Sequence, residues 1–308
     1  MGRWNVGSSA RRHKVTGEQG NFPMFSSQFS SERQSQMRSL MIIVALIAAT
    51  AGSSVLLLAV QAKPDDSPEY FFTRLAYSEN GDRGYGRRVS PGFVCPEFGG
   101  GNFFPPQSSG WGMDYPGADC KFLGGIHRLT NLRVTANPNV IDIMDDSLFR
   151  YPYAYMVEPG GLDLTEPEIA RLREYFDRGG FLHADDFWGG YELENFAEQM
   201  QRVFPEYRLE VLPLNHPVFH TFFDITEVMQ IPGQNAGCFG GPTYERTDDR
   251  EPRVYGISDD KGKLMVVATY NSDLGDAWEY EDLACYPEKY SGQSYRLGLN
   301  FIIYAMTH

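Results

Sequence analysis

Between Tyr153 and Leu212 the chain switches repeatedly between two hydrophobic periods, and this alternation constrains its fold more than any other feature. Tyr153 to Val157 is a short β-type run. Thr165 and Glu168 then stand at capping-box spacing, Pro167 suits a first helical turn, and Ile169, Leu172 and Phe176 form a buried stripe. Gly179-Gly180 stops that helix, and Phe181 to Ala184 reads as the next strand. A second amphipathic helix follows Gly189-Gly190 on Leu193, Phe196, Met200 and Val203, and Pro205 ends it. Tyr70–Tyr77, Tyr207–Leu212 and Leu264–Thr269 supply further strands, and a closing helix runs around Leu297, Phe301, Tyr304 and Ala305. Strands alternating with helices predict an α/β fold with a mostly parallel sheet, covered on both faces and joined by right-handed crossovers.

The first 62 residues have a different character. Leu40 to Val60 is almost wholly apolar or small. At 1.5 Å per residue it spans roughly 30 Å, the hydrocarbon thickness of a bilayer. Arg33 and Arg38 precede it and Asp65, Asp66 and Glu69 follow, which orients its N-terminus toward the cytoplasm. Two outcomes fit: a retained single-pass anchor, or a signal peptide cut after Ala62, where Val60 and Ala62 satisfy the small-residue rule. Both place the following domain outside the cytoplasm, which in a cell with two membranes is the periplasm. The expected organisation is a disordered cytoplasmic stretch over 1–36, the anchor or signal segment over 37–62, a linker over 63–69 and an extracytoplasmic domain over 70–308. Residues 78–117, rich in Gly, Pro, Ser and aromatics, read as a long surface excursion.

Charge divides at the same boundary. Six of the chain's 27 basic and two of its 40 acidic residues lie in 1–62, leaving 21 basic against 38 acidic in the remainder. A domain with a net charge of −17 repels phosphate backbones, so nucleic acid is not an expected partner. The four cysteines, Cys95, Cys120, Cys238 and Cys285, lack metal-ligand spacing, and in an oxidising compartment they allow three complete disulfide pairings.

Ligands of open α/β sheets bind beyond the carboxyl ends of the strands. Candidate residues at such places are His183, Asp185 and Asp186, then Asn215 and His216, then Asn271, Asp273, Asp276 and Glu279. Asp114 and Asp119 join them from the long excursion. Adjacent carboxylates can split their pKa values and act as general acid and base, which makes Asp185, Asp186 and His216 the candidate catalytic set. Asp273 and Asp276 are the candidate metal ligands, in an acidic loop over Asn271–Glu279 that partly resembles a calcium loop but lacks its regular ligand spacing. Helix capping and loop bracing weigh most for these carboxylates, with acid/base work second and metal binding third. Asp114, Asp119, Trp188, Asn271 and Trp278 are assigned to ligand contact or loop bracing. No glycine-rich nucleotide motif, nucleophile elbow or zinc signature is evident, and no organic cofactor is indicated.

The runs Asp114-Tyr115-Pro116, Arg128-Leu129-Thr130, Gly179-Gly180-Phe181-Leu182, Asp185-Asp186-Phe187, Asn271 to Glu279 and Asn300 to His308 carry a family likeness over about residues 70–308. In them the sequence resembles an uncharacterised bacterial family of exported or membrane-anchored proteins, a domain of unknown function. More distantly, with His216-Pro217-Val218-Phe219, it is similar to the class I glutamine-amidotransferase-like fold and its trehalose-utilisation-protein-like branch. That resemblance implies a flavodoxin-like three-layer sandwich. The nucleophilic Cys of amidotransferases is absent, because Asp185-Asp186-Phe187-Trp188 occupies the corresponding stretch.

The leading functional expectation is therefore a non-enzymatic, membrane-tethered domain that binds a protein partner, as an extrinsic or structural subunit of a membrane complex. The alternative is an extracytoplasmic hydrolase or carbohydrate-binding protein using Asp185, Asp186 and His216.

Overall fold

The computed structural model describes residues 67–79, 82–83, 93–100 and 110–308, all within the compact unit Asp66–His308. The expectations for the 1–36 stretch and the Leu40–Val60 segment lie outside the described residues. Among those described, no helix is long and apolar enough to cross a membrane.

Among the described residues nine strands form: β1 (Thr73–Ala76), β2 (Ser78–Glu79), β3 (Asp82–Arg83), β4 (Asn139–Asp142), β5 (Tyr153–Val157), β6 (Phe181–Phe187), β7 (Glu210–Val211), β8 (Arg253–Ser258) and β9 (Leu264–Tyr270). The helices are α1 (Gly117–Leu129), α2 (Glu166–Asp177), α3 (Gly189–Val203), α4 (Gln234–Phe239), α5 (Leu274–Glu279) and α6 (Glu288–Thr307), with short 3-10 turns between. Strands β2 and β3 make a separate two-stranded ribbon; the other seven form one sheet in the order β4-β1-β5-β6-β9-β8-β7. Its five-strand parallel core, β4-β1-β5-β6-β9, has the 2-1-3-4-5 order of flavodoxin-like sheets, with β8 antiparallel to β9.

The period-two alternation of β5 shows why the sheet needs cover on both sides. Tyr153, Tyr155 and Val157 pack into the cluster with Phe122 and Ile126 of α1 and Phe301 and Ile302 of α6. Ala154 and Met156 face the opposite cluster, with Leu172 and Phe176 of α2 and Phe196 and Met200 of α3. Both faces of the strand are dry, as in a parallel sheet flanked by helices. The result is three layers.

The capping box at Thr165 and Glu168 forms as the spacing predicts, the Thr165 amide donating to Glu168 Oε2 at 2.8 Å. Gly179 ends α2 with φ +98°, a left-handed value that a side chain resists, and its amide donates to the Phe176 carbonyl at 2.9 Å. Two expectations need correction. The strand placed at Tyr207–Leu212 contracts to Glu210–Val211, exposed and antiparallel to β8, because an edge strand gains a partner on one side only. The Asn271–Glu279 stretch is no loop: it turns into α5, whose N-cap is Asp273. Helix α1 and strands β4 and β8 are additions that periodicity did not reveal. The disulfides are Cys95–Cys120, fastening the turn at Pro96–Phe98 to α1, and Cys238–Cys285, fastening α4 to the chain before α6.

At the centre of the α1-side core, Arg74 of β1 meets Asp119 of α1 with both side chains fully buried. The guanidinium approaches the Asp119 carboxylate at 2.6, 3.0 and 3.2 Å through Nη2 and Nε, and its Nη1 donates to the Trp111 and Met113 carbonyls at 3.1 and 2.8 Å. It also lies 5.1 Å from the Tyr155 ring and 5.7 Å from that of Tyr115. Burial pushes the Asp119 carboxyl upward, and Arg74 pulls it back toward the charged form. Removing one member strands the other charge in the core, so Arg74→Met should cost about 3–5 kcal/mol in urea unfolding. Arg74→Met combined with Asp119→Leu should cost clearly less than either change alone.

Candidate functional site

A group of acidic side chains gathers at the carboxyl ends of the parallel strands. Four non-glycine residues among those described have left-handed backbones: Asp114 (φ +59°), Glu158 (+49°), Asp186 (+57°) and Asn271 (+54°). Glu158 follows β5, Asp186 lies near the end of β6, Asn271 follows β9, and Asp114 enters α1. Such conformations persist where surrounding contacts over-determine them, and they concentrate at binding and catalytic sites.

Each is held by its neighbours. The Glu158 carboxylate accepts the Gly110 amide at 2.9 Å. Asp186 is the extra residue of a bulge: Asp185 pairs with Thr269 and Phe187 with Tyr270, which turns the intervening side chain out of the ladder. Its Oδ1 accepts the Trp188 indole N–H at 2.7 Å. Asn271 Oδ1 accepts the Gly189 amide at 3.0 Å, and its Nδ2 donates to the Asp249 and Glu251 carbonyls at 3.3 and 3.0 Å, so it braces loops. Asp114 directly follows the Trp111–Met113 turn clamped by Arg74.

Asp185 and Asp186, adjacent in sequence, do different work. Asp185 is fully buried and accepts the Tyr155 hydroxyl at 2.8 Å and the Leu274 and Gly275 amides at 3.1 and 3.2 Å; it also makes a short contact with the Thr269 hydroxyl. It anchors the first turn of α5 to β6. Burial pushes it up to about 6 even so, those hydrogen bonds favouring the charged form. Asp186 instead lines a cavity of about 430 Å³, together with Asp114, Glu158, Glu192, Glu245, Asp273 and Asp276. Arg246 is the one basic side chain in that lining, and it is paired with Glu192 at 3.0 Å.

Like charges so confined cannot all ionise freely. Burial, then Asp276 and Asp186, pushes Asp114 well up; burial, then Glu158, does the same to Asp186; burial, then Asp186 and Asp276, does so to Asp273. Asp276 is raised mainly by burial, and Glu279 reaches about 8 through burial and the Asp276 charge. Two trios offer one oxygen per residue, all within 4.8 Å of one another: Asp114 with Asp186 and Asp273, and Asp114 with Asp276 and Glu279. Asp273 caps α5 through the Asp276 amide at 2.7 Å, and Asp276 Oδ2 accepts the Gln234 amide at 2.6 Å. Hard carboxylate oxygens in such a set suit Mg²⁺, Mn²⁺ or Ca²⁺.

The trio of Asp185, Asp186 and His216 does not assemble in one cleft. His216 accepts the Val218 amide through Nδ1 and lies beside Tyr304, whose hydroxyl accepts the Leu264 amide at the amino end of β9. That is the end opposite Asp186. His183 is a core residue between the Tyr153 and Thr269 hydroxyls, held down at about 3 by burial. Asp119 belongs to the Arg74 pair. Trp278 stacks on Phe122 at 4.0 Å in the core, and Trp188 alone of the two assigned tryptophans lines the cavity. Glu158, Glu192 and Glu245 also line the cavity and are not among the sequence candidates. The Glu158-Pro159-Gly160-Gly161 turn at a strand end is a signal for Glu158; nothing in the sequence marks Glu192 or Glu245.

Raised carboxyl pKa values set the pH response. Glu279 binds its proton up to about pH 8 when folded and to about 4.5 when unfolded. Between those values the folded state holds more protons, so stability is full below the unfolded value and falls as pH rises through 8. Asp185 adds the same sign between about 3.8 and 6. Chemical denaturation in chelator should therefore show a lower unfolding free energy at pH 8.5 than at pH 5.5. A curve that rises over this interval would contradict the burial argument. Against known proteins, a search of the curated proteins finds no match. The family model for a domain of unknown function, DUF4159, matches residues 106–306, a stretch that holds every cavity carboxylate, and the chain belongs to that family.

Proposed function

We propose that the protein is a cation-dependent ligand-binding domain whose acidic cavity takes a divalent metal ion on Asp114, Asp186 and Asp273. One observation carries this reading: three buried carboxylates from separate segments offer oxygens within 4.8 Å of one another, and among the described lining residues the one basic side chain, Arg246, is already paired with Glu192. In the absence of a cation, such a set is stable only by keeping protons. An ion relieves the repulsion and becomes the largest local charge in the cavity. The chain's own contribution is positional. The bulge at Asp186, the cap at Asp273 and the Arg74 clamp behind Asp114 hold the three oxygens on different elements. A cavity of about 430 Å³ leaves room for a small ligand beside the ion, within the ordinary 300–1,000 Å³ range of ligand sites. The likeness to the amidotransferase-like fold supports no transfer reaction, since Asp185 and Asp186 stand where the nucleophile belongs.

Asp186→Asn is the informative variant, because it keeps an acceptor for the Trp188 indole. In chelator it should be about 1 kcal/mol more stable than the parent, a buried charge having been removed. With Mn²⁺ the order should reverse, the parent gaining a thermal shift that the variant largely lacks. Equal shifts in both would remove Asp186 from the site.

A second reading rests on exposed aromatic side chains rather than on the carboxylates. Tyr191 and Phe239 are 80% and 79% exposed, large aromatics of the kind that anchor protein interfaces. They support a domain that binds a protein partner in the periplasm, held beside a membrane complex by the Leu40–Val60 segment or released there by cleavage. Extraction of the intact protein in mild detergent, followed by cross-linking, should then yield a defined partner that Tyr191→Ser with Phe239→Ser loses. A solitary monomer before and after that substitution would exclude this reading.

A further inference from the structure

The cation reading leaves part of the cavity chemistry unexplained. Two carboxylates of the neighbouring turn, Asp276 and Glu279, make a trio of their own with Asp114. They stand three residues apart on α5 and so share a helix face. Two of the oxygens in this second trio are conspicuous. Asp114 Oδ2 and Glu279 Oε2 are buried with no hydrogen-bond partner, although Asp114 is only 5% exposed. A buried polar atom left unpaired costs about 1–3 kcal/mol, more when charged, and either a proton shared between the Asp114 and Asp276 carboxyls or a bound cation would relieve that cost. Asp114 Oδ2 faces α5 directly: a Cβ added to Gly275 would stand 2.7 Å from it.

We propose that these carboxylates hold a pair of divalent cations bridged by Asp114, one in the cavity on Asp114, Asp186 and Asp273 and the other on Asp114, Asp276 and Glu279, the last standing behind the cavity lining. The inference rests on the cation reading above and deepens it. Asp114 is the one residue common to both trios, and a carboxylate has an oxygen for each neighbour. Charge counting favours the second ion. The five side chains carry five negative charges when ionised; one divalent ion leaves three uncompensated in a buried site, and two leave one. The nearby guanidinium groups do not fill that deficit, because Arg74 is paired with Asp119 and Arg246 with Glu192. Oxygen-only donor sets of this kind take Mn²⁺, Mg²⁺ or Ca²⁺, and paired ions sharing a ligand in known two-metal sites stand about 3.5–4 Å apart.

The test uses the intact chain in mild detergent, stripped with chelator and titrated with Mn²⁺, with calorimetry counting ions and electron paramagnetic resonance reading their coupling. The expected result is two Mn²⁺ per chain and the exchange-coupled spectrum of a bridged pair. Glu279→Gln should reduce the count to one and abolish the coupling while the remaining ion still binds. Asp186→Asn should also abolish the coupling, from the other side. Urea unfolding of both variants in chelator checks that they fold. Two ions with independent spectra would overturn the bridge. One ion in the parent, unchanged by Glu279→Gln, would overturn the pair and leave the single-cation reading standing. No bound Mn²⁺ at all would overturn both.

Discussion

The buried pair between Arg74 and Asp119 is the contact on which the rest of this structure depends. It joins the first strand of the parallel core to the helix packed over it, and its spare N–H groups hold the turn from Trp111 to Met113. That turn delivers Asp114 to the mouth of the sheet. A hydrophobic pair of similar volume would serve stability as well or better. It would not hold two backbone carbonyls in fixed directions. The directional demand of the guanidinium links the core to the cavity.

The cavity follows an opposite logic. Its carboxylates lie near one another, Asp114, Glu158 and Asp186 on left-handed backbone, and their mutual repulsion opposes folding at neutral pH. Asp185 makes this arrangement possible without belonging to it. By accepting the first amides of α5 it fixes the helix that carries Asp276 and Glu279, close to β6 and to Asp186. One carboxylate therefore organises the site, and its sequence neighbour faces the cavity. The bulge that separates them, with Asp186 in a left-handed conformation, is the local device behind that division of labour.

Much of the middle of the fold was legible in the chain itself. The helix from Glu166, its capping box and its glycine stop follow from local spacing, as do the apolar cores of β6 and β9, because these signals are confined to a few neighbouring residues. Helix α1 was not legible, since its small and polar residues, Gly117, Asp119, Gly124 and Gly125, hide the stripe of Phe122, Leu123 and Ile126. Strand β8 escaped for a related reason: it alternates buried and half-buried positions with a glycine among them. The acidic residues after β9 looked like a loop because a six-residue helix has too few turns to show a period.

The sequence by itself determined the alternation of elements, the parallel sheet, the charge excess of the domain and the placement of Asp185, Asp186 and Asp273 at strand ends. Those are properties of composition and short-range spacing. Tertiary structure alone decided which carboxylates meet. It sent His216 to the far end of the sheet, consumed Asp185 and Asp119 in internal contacts, and brought Asp114, Asp186 and Asp273 within 4.8 Å. Sequence order does not encode that choice, because the three aspartates ride on different elements. Their convergence depends on strand order, on the bulge at Asp186 and on a buried guanidinium.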